Sequence, residues 1–196
     1  MNQFLTIDGP DGVGKTTVAQ VLADRLRADG SNVLMLHQPS ESDLGRFAYS
    51  GGLTGLALAA AVVGDRYLQI ETEIKPAMAE GRTVVCDRYV ASTLALQRLD
   101  AVPLDVLWSM NDQAMIPDLS IHLTAEPSVI EERLDRRGRT SRFEAMNGIA
   151  ALESAFFNEA FTLLRGASYP ILEVDTTART PELVVAEIAA RLGSLR

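Results

Sequence analysis

A chain of 196 residues, 47% hydrophobic and 22% charged, is the size of one domain and can bury a core without a disulfide or metal staple. Its one cysteine, Cys86, excludes an internal disulfide framework and a cysteine-rich zinc site. With 18 Lys+Arg against 26 Asp+Glu the formal net charge is −8, which argues against a general nucleic-acid binder, because affinity for a phosphate backbone needs a positive surface.

In chain order, residues 1–8 (MNQFLTID) have no basic stretch leading into a long apolar one and do not read as a secretory signal. Residues 4–7 form a short strand that ends at the turn Asp8-Gly9-Pro10. Residues 13–28 carry Val18, Val21, Leu22 and Leu26 at helical period. Residues 32–36 are a second strand. Residues 53–80 hold one long helix or two, with Pro76 a break or kink and Gly81 a stop. The most apolar stretch, residues 53–63, ends at Gly64-Asp65-Arg66 and falls short of the roughly 20 residues a membrane span needs. It is a buried helix, and a cytoplasmic location is the expectation. Residues 83–86 are a continuously apolar third strand, as helices on both sheet faces require.

Residues 104–114 are helical and residues 119–123 are a fourth strand. A helix over residues 129–137 opens at Glu126-Pro127-Ser128, and residues 149–165 form another. After a fifth strand, residues 170–174, the chain closes as a helix over residues 181–192, with Thr180 as N-cap and Pro181 at the first helical position. Five strands alternating with helices predict one α/β domain over residues 1–196, a parallel sheet with helices on both faces.

The residues Gly9-Pro10-Asp11-Gly12-Val13-Gly14-Lys15-Thr16 match G-x-x-x-x-G-K-[ST] in full, and Thr17 follows. A strand ends just before the loop and a helix begins inside it. Glycines let successive N–H groups turn toward a polyphosphate, and the helix N-terminus adds a positive dipole end. Lys15 brings a point charge to the terminal phosphates and the Thr16 hydroxyl can ligate Mg²⁺. The chain has 16 Arg and only two Lys, yet keeps lysine where the motif requires it. The lysine is expected to face ligand and not core, so its removal should change stability little.

The third strand runs into Asp87-Arg88-Tyr89. Ligands of open parallel sheets sit beyond the carboxyl ends of the strands, so Asp87 is placed to hold Mg²⁺ and Arg88 to reach a second phosphate. A second cluster, Arg133, Arg136, Arg137, Arg139 and Arg142, surrounds Gly138. Arginines on a mobile loop there can fold over a transferring phosphoryl group and neutralise its equatorial oxygens. A solvated basic face is the plainer reading of such a run.

Asp8-Gly9-Pro10-Asp11-Gly12-Val13-Gly14-Lys15-Thr16-Thr17, Asp87-Arg88-Tyr89-Val90-Ala91-Ser92, Pro117-Asp118-Leu119 and Arg142-Phe143-Glu144 occur in that order. Together they resemble the thymidylate kinases of the nucleoside monophosphate kinase superfamily, from Phe4 to about Leu192. The resemblance implies a P-loop NTPase three-layer sandwich with a short arginine-rich lid, about residues 136–148. The strand carrying Leu5 is then central, with those of Leu34 and Val84 on one side and those of Ile121 and Leu172 on the other. The implied reaction moves the γ-phosphoryl of ATP, with Mg²⁺, to a pyrimidine nucleoside monophosphate, dTMP first. The implied partners are small nucleotides and a second copy of the chain, with no nucleic-acid polymer and no membrane. The alternatives are the same chemistry on a different or modified pyrimidine nucleotide, and a P-loop switch with no small-molecule acceptor.

The resemblance also implies roles. Asp11 faces the sugar 3′-hydroxyl of the acceptor, Arg88 holds its phosphate, Arg66 lies against the base, and Thr93 and Gln97 meet the base edge. Thr16 and Asp87 serve the metal. Arg133 and Thr177 belong to the ATP side, with the run Thr176-Thr177-Ala178 bordering the adenine. Gly12 occupies a position that is basic in one subgroup of the family, so the transition-state arginine comes from the lid, where Arg137, Arg139 and Arg142 are candidates. Three departures bear on the acceptor. His37-Gln38-Pro39-Ser40-Glu41-Ser42 lacks the family's phosphate-gripping arginine, for which Arg46 is a substitute. Val62 stands where a base-stacking Phe is common, and Leu96 where a Tyr often crowds the sugar 2′-position.

His37, His122 and Cys86 read as ordinary structural residues. Trp108 and Met110 read as packing, at a possible dimer face.

Overall fold

In this computed structural model, which describes residues 2–140 and 143–194, five strands run parallel in the order β2-β3-β1-β4-β5. They are β1 (Phe4–Asp8), β2 (Val33–His37), β3 (Thr83–Asp87), β4 (Leu119–Thr124) and β5 (Ile171–Asp175). The predicted order is borne out. Register pairs Ile7 with Asp87 and Asp8 with His122, so the carboxyl ends of β1 and β3 lie side by side while β4 runs on past them to Thr124. Every residue of β1 and β3 is buried, whereas the edge strands β2 and β5 are partly exposed. That gradient is what continuous apolar runs in the middle of a covered parallel sheet produce.

Side chains alternate between two cores, following the period of two along a strand. Leu5, Ile7 and Val85 face a core completed by α1 (Lys15–Ala28) and α9 (Pro181–Gly193). Phe4, Val84 and Cys86 face the other, which is filled from α5 (Val90–Leu96), α6 (Leu104–Asn111) and α8 (Ile149–Gly166). The Cys86 thiol is fully buried and its pKa is pushed well up by that burial.

Two regions differ from the sequence reading. A helix α2 (Asp43–Ser50) precedes the long helical segment; Ser42 caps it by accepting the Gly45 N–H at 3.0 Å. Residues 53–80 then form α3 (Gly55–Gln69), a wide turn over Ile70–Ile74 and α4 (Lys75–Ala79) without interruption. Pro76 lacks an N–H and its ring crowds the preceding turn, and the i→i+5 turn just before it relieves that conflict without ending the helix. The helix α7 (Pro127–Arg137) completes the set. Among the described residues no helix is long and apolar enough to cross a membrane.

Asp118 shows how a motif residue can serve the fold alone. Its carboxylate accepts the Phe4 N–H at 2.7 Å while its own N–H donates to the Phe4 carbonyl, which pins the start of β4 to β1.

Candidate active site

The loop between β1 and α1 turns sharply because only glycine can occupy two of its positions. A Cβ on Gly9 would lie 2.4 Å from the Leu123 carbonyl oxygen. Gly14, at φ 104, is the left-handed N-cap from which α1 starts. A cavity of about 570 Å³ opens over this loop, lined by Asp11, Gly12, Val13, Gly14, Lys15, Thr16 and Thr17. Gly9 and Pro10 are absent from that lining; their carbonyls each hold the Lys15 Nζ at 2.9 Å. Lys15 also reaches the Asp11 Oδ1 at 3.2 Å and is only 6% exposed. The lysine is thus braced by the loop as well as aimed into the cavity, which corrects the expectation that it faces ligand alone.

Arg88 stands at the centre of the site. Its backbone is left-handed, at φ 72, and its N–H donates to the Ile7 carbonyl at 2.9 Å. A non-glycine residue held there stores roughly 1–3 kcal/mol of strain, a cost tolerated where surroundings fix the geometry. Asp8 supplies that fixation: its buried carboxylate accepts the N–H groups of Tyr89 and Ser92 and the Ser92 hydroxyl, at 2.9, 3.0 and 2.6 Å. Burial pushes the Asp8 carboxyl up, against the pull of these hydrogen bonds. The Arg88 guanidinium ion-pairs with Asp11 through Nη2, while its Nη1 is buried with no partner among the described residues.

Three titratable groups respond to this crowding. Burial raises the Asp11 carboxyl, but the charges of Arg88 and Lys15 overcome it and hold the group well below the ordinary carboxylate range. Burial and the nearby Arg88 both lower Lys15, opposed by Asp11, Asp87 and Glu153. Glu153, which sequence reasoning missed, is 2% exposed and accepts the Asp11 N–H at 2.7 Å. Burial first, and then the Asp11 charge, push Glu153 up to about 7.

Glu153 therefore contributes a pH dependence to stability. Its folded pKa of about 7 lies above the ordinary glutamate value of 4.5, so between those limits the folded state binds more protons than the unfolded one. Stability from this group falls as pH rises through that window and levels off above it. Glu153→Gln keeps an acceptor for the Asp11 N–H and removes the charge. We expect it to match the parent in urea unfolding near pH 5 and to exceed it at pH 8 by up to about 3 kcal/mol. An advantage of equal size at both pH values contradicts the assignment.

Asp87 meets Thr16 at the far side of the loop, where the Thr16 hydroxyl donates to Asp87 Oδ2 at 2.5 Å. Asp87 Oδ1 is buried and without a partner among the described residues. A hydroxyl, a carboxylate and an unfilled buried acceptor beside a phosphate loop suit a small hard cation that takes its remaining ligands from phosphate and water. Among the described residues no group of three or more His, Cys, Asp or Glu could hold a metal, so the protein offers no cage of its own.

The arginine cluster divides. Arg133 and Arg137 line the loop cavity. Arg133 donates to the Thr176 carbonyl at 2.7 Å and to its hydroxyl at 3.1 Å. Arg137 is held by Glu144 at 2.7 Å. Arg139 is turned to Glu131 and Asp135, at 2.6 and 2.8 Å, and Arg136 to Glu132 at 2.5 Å. Arg142 lies outside the described residues. Thr176 and Arg179 line the loop cavity, whereas Thr177 lines a separate one of about 430 Å³ and accepts the Glu126 N–H at 3.0 Å.

Two further cavities meet Arg88 from the other side. One, of about 850 Å³, includes His37, Gln38, Arg46, Thr16 and Asp87. Arg46 there is ion-paired with Asp43 at 2.6 Å. The other, of about 180 Å³, is walled by Leu58, Val62 and Leu96, with Arg66, Thr93 and Gln97. Arg66 is 1% exposed and among the described residues bonds neutral acceptors: Gln38 at 2.8 Å, the Tyr89 carbonyl at 3.0 Å, Thr93 at 2.7 Å, and Asn111. Its neighbour Asp65 accepts the N–H and hydroxyl of Ser40 and the Ser42 hydroxyl, fixing the loop before α2. Gln97 Oε1 is buried with no partner among the described residues.

A family model described as thymidylate kinase matches residues 7–188 of the chain. The chain is similar to a probable thymidylate kinase of Archaeoglobus fulgidus, 32% identical over 90% of this chain and 92% of that protein. One from Caldivirga maquilingensis is 32% identical over 87% of this chain and 84% of its own length. A thymidylate kinase of Clavibacter sepedonicus is 33% identical over 96% and 93% respectively.

Proposed function

The chain belongs to the thymidylate kinase family, and on that basis we propose that it passes the γ-phosphoryl of ATP to dTMP, with Mg²⁺ bound through Thr16 and Asp87. It is an ATP-dependent nucleotide kinase carrying out the phosphoryl transfer characteristic of that family. The observation that carries the assignment of roles is Arg88. Its Nη2 is tied to Asp11 in the phosphate loop, its Nη1 has no partner among the described residues, and the side chain borders both the loop cavity and the two cavities beyond it. A nucleotide switch needs only the first of these cavities.

In this reading the loop N–H groups from Gly12 to Thr17 and the Lys15 ammonium hold the ATP phosphates, with Arg133 and Thr176 on the nucleoside side. The metal, when bound, neutralises charge on the donor phosphates. Arg88 orients the acceptor phosphate, and Asp11 holds Arg88 and Lys15 in position between the two substrates. The acceptor oxygen is already anionic, so no side chain has to remove a proton; positioning and charge neutralisation carry the reaction. Arg137 is the lid arginine that reaches the cavity, with Arg139 and Arg142 as further candidates. Arg66 and Thr93 build the base pocket, and Gln97 offers its edge. A homodimer completes the reading, with the half-buried Trp108 and Met110 of α6 available to its interface.

An assay of ADP release with dTMP, dUMP, dCMP, UMP and CMP, each with and without Mg²⁺, tests this. We expect turnover with dTMP that requires Mg²⁺. The aliphatic Val62 and Leu96 favour a second outcome alongside it, in which dUMP or dCMP comes within about a hundred-fold of dTMP in kcat/KM, a gap of under about 3 kcal/mol. No turnover with any of the five overturns the proposal.

A further inference from the structure

The cavity of about 180 Å³ lacks a lid. Its walls are aliphatic, from Leu58, Val62 and Leu96, and it offers a buried acceptor, Gln97 Oε1, that has no partner among the described residues; Arg88, whose Nη1 is likewise unpartnered, borders it on the side of the phosphate loop. A flat ring with apolar faces and an N–H on its edge satisfies both features, and a pyrimidine base is such a ring. The wall that would cover the outer face of that ring is contributed by Tyr49, which also borders the neighbouring cavity of about 850 Å³ next to Arg88.

Tyr49 is 85% exposed, the most exposed of the large apolar and aromatic side chains. An aromatic ring of this size ordinarily buries most of its surface, and one left in water at the mouth of a cavity has a face to offer a ligand. The other aromatic side chains nearby are committed elsewhere. The Tyr67 hydroxyl donates to the Met110 carbonyl at 3.0 Å, and the Tyr89 hydroxyl to the Met115 carbonyl at 3.0 Å. Phe47 lines neither cavity.

Helix α2 holds the backbone of Tyr49 beside both cavities. Gly45 packs against the Ser40 backbone so closely that a Cβ would lie 2.1 Å from the Ser40 carbonyl oxygen, and Ala48, in the last turn, is buried. With the helix so seated, rotation about the side-chain bonds of Tyr49 is the motion that carries its ring over the mouth of the smaller cavity.

We propose that Tyr49 closes over the acceptor and stacks on its pyrimidine base, supplying the aromatic surface that the aliphatic walls of the cavity lack. The inference rests on the acceptor being a pyrimidine nucleoside monophosphate, as proposed above. Its test is steady-state kinetics, with direct titration of dTMP, on Tyr49→Ala, Tyr49→Phe and Phe47→Ala. Tyr49→Ala raises the KM and Kd for dTMP about ten- to a hundred-fold, or about 1.4–2.8 kcal/mol, the range of base–aromatic stacking. It leaves the KM for ATP and the melting temperature as in the parent. Tyr49→Phe restores the parent values, since the ring and not the hydroxyl makes the contact. Phe47→Ala, from the same exposed helix, changes neither constant. Parent-like dTMP affinity in Tyr49→Ala overturns the inference while leaving the kinase function standing. Absence of transfer by the parent to any pyrimidine monophosphate overturns both.

Discussion

Lys15→Ala lowers kcat by about 10²–10³-fold, the usual loss on removing one preorganised donor from the site of developing charge. The lysine is the sole lysine of the phosphate loop, and its ammonium is placed by two carbonyls, Gly9 and Pro10, and by Asp11. The arginines that line the cavity are engaged elsewhere: Arg88 is bound to Asp11, Arg133 to Thr176, Arg137 to Glu144 and Arg179 to Glu187. The effect on stability is smaller and has two opposed parts. Removing a buried cation leaves two carbonyls without their donor, at roughly 1–3 kcal/mol in a dry site and less where cavity water reaches them. It also removes the repulsion between Lys15 and Arg88 that holds the lysine pKa down. Thermal melts and single-turnover transfer on the same preparation separate the two. A variant that melts within a few degrees of the parent and transfers at the parent rate shows that the loop does not serve ATP in the way described.

The middle of the molecule was legible because its physics is local. A covered parallel strand must be apolar throughout, and Val84-Val85-Cys86 is; a phosphate loop must carry glycines at fixed spacing between strand and helix, and residues 9–16 do. Asp87 and Arg88 followed from strand polarity alone. Helix α2 escaped notice because it is eight residues long, contains Gly45 and ends in Gly51-Gly52, which break the apolar period; Ser42 three residues before Gly45 was its one local sign. Glu153 left no such sign. In sequence it is one acid in an amphipathic helix, indistinguishable from Glu159, and only the approach of α8 to the loop from 142 residues away makes it a partner of Asp11. Arg66 was marked as a base contact by resemblance. Its burial among four neutral acceptors came from α5, α6 and the residues after β2 converging on it, which no single segment encodes.

Arg88 draws these threads together and makes the sharper experiment. Arg88→Ala should raise the KM for the acceptor and lower kcat, with a combined loss in kcat/KM of about 10²–10³-fold, in line with removal of a charged phosphate clamp. ATP affinity should fall far less. Without Arg88 the half-buried Asp11 keeps Lys15 as its counter-charge, and Lys15 loses the repulsion that lowered it, so the donor side of the site stays charged. Arg88→Lys keeps the charge and loses the planar fork, because a point ammonium cannot bind Asp11 and a phosphate in two fixed directions at once. About a tenfold recovery over alanine is expected. Arg88→Gly separates strain from chemistry. Glycine accepts the φ of 72 that arginine adopts only under constraint, so this variant should melt above Arg88→Ala by about 1 kcal/mol of stability while transferring no faster. Identical melting of the glycine and alanine variants removes backbone strain from the account. Equal losses of ATP and acceptor affinity in Arg88→Ala remove the division between donor and acceptor clamps, because an arginine at the meeting of three cavities would then be serving them all alike.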